Sequence, residues 1–145
     1  MTRLSLRALT LATAVLLTGC ASTGGGSGPS TPAGTLDKIR ASKTVTLGYR
    51  DSSLPFSYVG PNKQPVGYSV DLCNAVVDDL RRELKLPDLQ PKWVPVTVET
   101  RVSAVMNGTV DIECGSTTNT LSRQEQVDFT LTTFITGASL LAMPG

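Results

Sequence analysis

Beyond residue 35 the chain alternates between two kinds of apolar pattern. The run "TVTLGYR" (44–50) is dense in β-branched and apolar residues, which predicts a strand. "KWVPV" (92–96) and "TVDIECG" (109–115) read the same way. Between them the apolar period changes from two to nearly four. Cys73, Val76, Val77, Leu80 and Leu84 recur at helical spacing and predict a helix over 69–85, capped by Ser69 and ended by Pro87. Val98, Val102, Val105 and Met106 predict a second helix over 97–107, capped by Thr97 and stopped at Gly108. "TLDKIRAS" (35–42) is a short leading helix with Thr35 as its N-cap. "PFSYVGPNKQPVGYSV" reads as a hairpin about Gly60-Pro61-Asn62. "SRQE" (122–125) has capping-box spacing for a short helix, and "FITGASLLAM" (134–143) is a final extended run. Strand, helix, strand, helix, strand implies an α/β fold: an open, mainly parallel sheet with flanking helices. Trp93, on the second strand, is expected in the core.

The first 35 residues follow neither pattern. Arg3 and Arg7 precede the apolar run "ALTLATAVLL" (8–17), which is too short to span a bilayer as a helix. "LTGC" (17–20) follows. A charged start, a short apolar run and small residues before a cysteine resemble a bacterial lipoprotein signal. That resemblance implies cleavage before Cys20, a lipid on its sulfur and an extracytoplasmic, membrane-anchored chain. Residues 1–19 are then a signal peptide. Residues 20–35, rich in Gly, Ser and Pro, form a flexible tether, and 36–145 are the folded part.

Composition narrows the chemistry. The chain has 145 residues, room for one domain, and carries no histidine. A Ser–His triad, a His-paired cysteine nucleophile and a His-bearing zinc site are excluded. The formal charge is +1, which offers no basic surface for nucleic acid. Loss of residues 1–19 removes two arginines and no acid, leaving 11 basic and 12 acidic residues. No metal and no cofactor is expected. Cys73 and Cys114 lie in a chain bound for an oxidising compartment, where they can form a disulfide or stay as two buried thiols.

In an open parallel sheet, ligands bind beyond the carboxyl ends of the strands. Arg50 ends the first predicted strand, Arg101 lies in the first turns of the helix after the second, and "STTN" (116–119) follows the third. A cation in the first turn of a helix is mildly unfavourable unless an anion faces it. Two guanidinium groups suit carboxylates, which they bind bidentately. The expected ligand is small and carries one or two carboxylates, held by Arg50, Arg101 and the hydroxyls after Gly115. The alternative is two solvated arginines neighbouring Asp51 and Glu99, beside an ordinary Ser/Thr turn. Phe56 and Tyr58 are candidate pocket walls, with plain hairpin packing as the alternative. Asp71, in a helix first turn, is read as structural.

The strings "TLDKIRASKTVTLGYRDSSLPFSY", "GYSVDLC", "VPVTVETR", "NGTVDIECGSTTNT" and "VDFT" strongly resemble the extracytoplasmic solute-binding proteins of ABC amino-acid importers, above all the glutamate/aspartate type. The resemblance runs from about residue 35 to 143. It implies a periplasmic-binding-protein type II-like fold of two α/β lobes that close on the ligand, and an ABC permease as partner. It places the carboxylate-binding roles on Arg50, Arg101, Ser116 and Thr118. Val98 departs from relatives that carry serine there. The chain is about half the expected length, so it is expected to be an incomplete first lobe with no second lobe, either a fragment or a truncated product. Two other readings stand beside this one. The same fold hosts dehydratases, for which Glu113 is the nearest acid–base candidate, although its place inside a strand reads as structural. The other is a remnant that binds nothing.

Overall fold

The computed structural model describes residues 34–143. The signal segment, Cys20 and most of the tether lie outside the described residues. In chain order the elements are α1 (Thr35–Ser42), β1 (Thr44–Tyr49), β2 (Ser52–Ser53), β3 (Ser57–Val59), β4 (Pro65–Val66), α2 (Tyr68–Glu83), β5 (Gln90–Pro95), α3 (Arg101–Met106), β6 (Ile112–Cys114) and α4 (Leu121–Gln124). Among the described residues no helix is long and apolar enough to cross a membrane.

β1 is the middle strand of a parallel sheet ordered β5-β1-β6, with Leu47 paired to Trp93 on one side and Ile112 on the other. A strand covered on both faces needs apolar residues throughout, which is what "TVTLGY" provides. Val45 and Leu47 are fully buried and meet Ile39 of α1, Val77 of α2 and Leu89. Each such side chain contributes roughly 1.5–3 kcal/mol through removal from water. Trp93 is only partly buried; it packs on this core and meets Tyr49 edge-on at 6.3 Å. The segment after β1 makes a second, antiparallel sheet ordered β2-β3-β4. Its turn closes through Gly60 N–H to the Gln64 carbonyl at 2.9 Å, at the expected hairpin.

Three links tie the elements together. Asp111, at the entry to β6, accepts the Thr46 N–H at 2.8 Å and pairs with Lys38 of α1 at 2.9 Å. Gly67 precedes α2 with φ of 123°, and a Cβ there would approach the Phe56 carbonyl oxygen to 2.6 Å, so only glycine fits. Of the two options for the cysteines, the structure has the disulfide: Cys73 of α2 is joined to Cys114 of β6.

Several local expectations are corrected. α1 starts at Thr35, with Gly34 rather than Thr35 at its N-cap. α2 starts one residue before Ser69, whose hydroxyl donates to the Gly115 carbonyl at 2.7 Å instead of capping its own helix. Val76, Val98 and Met106 are exposed although they hold helical spacing, because nothing among the described residues covers those faces. α4 begins beyond Thr120, without a capping box on Ser122. Residues 134–143, expected as a final extended run, belong to no strand, and Leu140 and Leu141 are fully exposed.

Candidate functional site

The carboxyl ends of β5, β1 and β6 lie side by side, and the chain leaves each through a polar segment. Beyond β1, the Arg50 N–H donates to the Ser57 hydroxyl at 2.9 Å, and that hydroxyl donates to the Arg50 carbonyl at 3.2 Å. Ser57 is fully buried. The first strand of the hairpin is thus folded back so that Arg50 has a fixed backbone.

Beyond β5, Thr97 and Thr100 cap each other. The Thr97 N–H donates to the Thr100 hydroxyl at 2.9 Å, and the Thr100 N–H donates to the Thr97 hydroxyl at 3.2 Å. This reciprocal turn leads into α3, whose first residue is Arg101. Thr97 is therefore not the N-cap expected of it: Thr100 holds that position, and the Thr97–Thr100 turn precedes a helix shorter than the pattern predicts. Arg101 is 8% exposed, far more buried than a lone cation tolerates cheaply. Burial is the main influence lowering its pKa; Glu113 opposes it, while Arg123 and Arg50 reinforce it. A guanidinium does not lose its proton under such pressure, so an anion is the group that would relieve it. Among the described residues, no ion pair holds Arg50 or Arg101, and the Nε atoms of both are buried without a hydrogen-bond partner.

Beyond β6 the loop belongs to no strand, and burial alternates from residue to residue over 115–118. Ser116 and Thr118 are exposed and Thr117 is half-buried. The Ser116 hydroxyl meets the Ser53 hydroxyl at 2.7 Å, joining the loop to the hairpin. The Thr118 carbonyl accepts from Arg123 at 2.8 Å. Thr117 turns inward, with its hydroxyl buried and unpartnered. Glu113, two residues upstream of Gly115, folds its carboxyl over that glycine: a Cβ on Gly115 would collide with Glu113 Oε1 and lie 3.1 Å from Arg50 Cγ. Burial raises the Glu113 pKa above the usual carboxylate range, against the opposing influence of Thr117, Arg101 and Arg50.

The structure brings Arg50, Arg101 and Ser116 to one edge, with Thr118 further out along the same loop. Phe56 stacks edge-on with Phe134 at 4.9 Å and Tyr68 at 6.2 Å, in an aromatic group beside the hairpin. Tyr58 is half-buried on β3, and Asp71 is exposed on α2. Sequence reading missed Ser57 and Thr117, and it set Glu113 aside. Serine after an aromatic gives no signal, while strand alternation counted from the Cys114 end can point to Thr117. A cavity of about 620 Å³ opens between α2, α3, β6 and residues 127–133. It takes in Arg101, Glu113 and Thr117 but not Arg50, Ser116, Thr118 or Phe56, so the two arginines reach the edge from different sides.

Residues 45–145 match the family model for bacterial extracellular solute-binding proteins, family 3. The L-glutamate/L-aspartate-binding protein of Pseudomonas aeruginosa is 54% identical over 111 residues, 75% of this chain and 36% of the relative. The glutamate/aspartate import solute-binding protein of Escherichia coli is 46% identical over 111 residues, 77% of this chain and 37% of the relative. The chain thus spans little more than a third of the length of these relatives. Among solved structures, an ancestral cationic amino acid solute binding protein superposes with a TM-score of 0.59 at 30% identity, over 67% of this chain and 39% of that one. A solute receptor for L-cysteine from Neisseria gonorrhoeae superposes with a TM-score of 0.58 at 30% identity, over 66% of this chain and 37% of that one. The fold is part of the periplasmic-binding-protein type II architecture. The chain belongs to the bacterial extracellular solute-binding proteins, family 3.

Proposed function

We propose that this chain supplies the first-lobe half of a binding site for an acidic amino acid, glutamate or aspartate, in an extracytoplasmic protein that delivers its ligand to an ABC permease. One observation carries the reading: Arg50 and Arg101 stand at one strand edge, at least partly buried, without an acidic ion-pair partner among the described residues. Buried guanidinium groups left without a partner are costly, and a carboxylate with its two oxygens relieves that cost. Ser116 and Thr118 supply further donors on the same loop. The names of the 46–54% identical relatives support the same ligand class. They also support binding without turnover. "LTGC" supports a lipid anchor on Cys20 at the extracytoplasmic face.

The described residues form one face of the site, where arginine–carboxylate pairs left open to solvent would act in high dielectric. Calorimetric titration of L-glutamate and L-aspartate, with L-lysine and L-glutamine as controls, tests the reading. Heat with the acidic pair alone is expected. Equal response to all four, or none from a folded chain, overturns it.

A further inference from the structure

Four polar atoms at or behind the strand edge are buried without partners: Arg50 Nε, Arg101 Nε, Glu113 Oε1 and Thr117 Oγ1. Native interiors seldom leave so many polar groups unmatched together. The set is two cations and one anion, close enough to influence one another but not locked into ion pairs. The Glu113 carboxyl occupies the room that Gly115 leaves vacant, beside the Thr117 hydroxyl and the Gly115 backbone.

We propose that Glu113 is the internal counter-anion of the arginine pair, ionised while the site is empty and taking up one proton from solvent when a ligand carboxylate engages Arg50 and Arg101. The inference rests on the acidic-ligand reading above. The physical basis is charge balance. The two guanidinium groups favour the ionised form of Glu113, and burial disfavours it. A ligand carboxylate that pairs those guanidinium groups cancels the field that keeps Glu113 charged and adds a like charge nearby. Both changes favour the neutral acid, in which the added proton is a donor that Thr117 Oγ1 can accept.

Glu99, exposed in the turn before α3, also feels Arg50 and Arg101, but the Thr97 hydroxyl and its own backbone N–H are the larger influences that hold it ionised. On the same strand Asp111 is committed to Lys38 and the Thr46 N–H. α2 contributes Asp79 and the segment after α4 contributes Asp128 to the wall of the cavity that Glu113 also lines. α3 contributes Arg101, the segment after β1 contributes Arg50, and Arg123 acts on Arg101. Of the carboxyls that line the cavity, Glu113 alone has both its neighbouring cations in the ligand's path.

The test is calorimetry of L-glutamate with the full chain in two buffers of different ionisation enthalpy, at about pH 5, 6 and 7, where the ligand carboxylates stay ionised. The buffer dependence of the heat counts protons. Uptake approaching one proton is expected, with affinity rising by up to about tenfold per pH unit of acidification. Glu113→Gln, isosteric and uncharged, is expected to bind within about tenfold of the parent, with no proton uptake and a flat pH profile. Glu113→Asp is expected to restore part of the uptake. Binding with the same proton count in parent and Glu113→Gln overturns the inference and leaves the acidic-ligand reading standing. Absence of binding by the folded parent overturns both. Should Glu113→Gln fail to fold, the parent's proton count decides alone, and zero uptake at all three pH values is the negative result.

Discussion

The buried hydroxyl of Ser57 holds both backbone groups of Arg50, accepting its N–H at 2.9 Å and donating to its carbonyl at 3.2 Å. The direction in which Arg50 leaves β1 therefore depends on a residue seven positions away. Ser57→Ala strands a buried N–H and a carbonyl, at a cost of about 1–3 kcal/mol in stability. Ligand affinity should fall by roughly tenfold through loss of Arg50 placement alone. Denaturant unfolding and calorimetry on the same variant separate the two effects. A loss of stability with affinity unchanged would mean that Arg50 is positioned by something else.

Arg101 makes the stronger claim on a ligand. Charge-assisted hydrogen bonds contribute about 1.5–3 kcal/mol each, so Arg101→Ala should weaken binding of acidic amino acids by about 10- to 100-fold or more. Arg101→Lys should recover only part of this, because a point charge lacks the fork that grips two oxygens. Titration of both variants beside the parent checks the order.

The Cys73–Cys114 link closes a loop spanning 41 positions between α2 and β6. On the chain-entropy account such a loop contributes about 4 kcal/mol. Both cysteines are buried, so reductant should act on the unfolded chain far faster than on the folded one. Urea unfolding with and without reductant should give unfolding free energies that differ by this amount, with a lower midpoint when reduced. Equal midpoints would mean that the link is dispensable to the fold.

Glu113 should leave a signature in stability as well as in binding. Its folded-state pKa is raised, chiefly by burial. Its contribution to stability is thus fully present below the ordinary carboxylate value of about 4.3 and is lost as pH rises through the raised folded value. Glu113→Gln should match the parent in melting temperature at about pH 4 and exceed it at about pH 7. Scanning calorimetry at both pH values checks this. A variant less stable at the higher pH would show that the two arginines outweigh burial.

How much of this was legible in the sequence depends on what kind of information each residue carries. The order of strands and helices follows from changes in apolar period, and Arg50 and Arg101 fall at strand ends by counting alone. Helical spacing reports which side chains share a face, but not whether anything covers that face. Val77 is buried while Val76, Val98 and Met106 are exposed, and all four hold the same pattern. Likewise β-branched and apolar content marks residues 134–143 as extended but cannot supply a neighbouring strand. Thr117 was not singled out from its hydroxyl run and Glu113 was set aside as structural, because their part depends on burial, which is set by the Gly115 loop and by α3 rather than by local sequence. Ser57 escaped because its hydroxyl serves the backbone of a residue in a different element.

Gly115 carries a consequence for how this site can change over time. A methyl group there would displace the Glu113 carboxyl and crowd Arg50, so a substitution at 115 also repositions the side chain at 113. A larger residue at 115 would have to push the flexible Glu113 side chain aside, which alters the charge facing the two arginines. The missing methyl thus restricts the paths by which a descendant could alter its preference for charge.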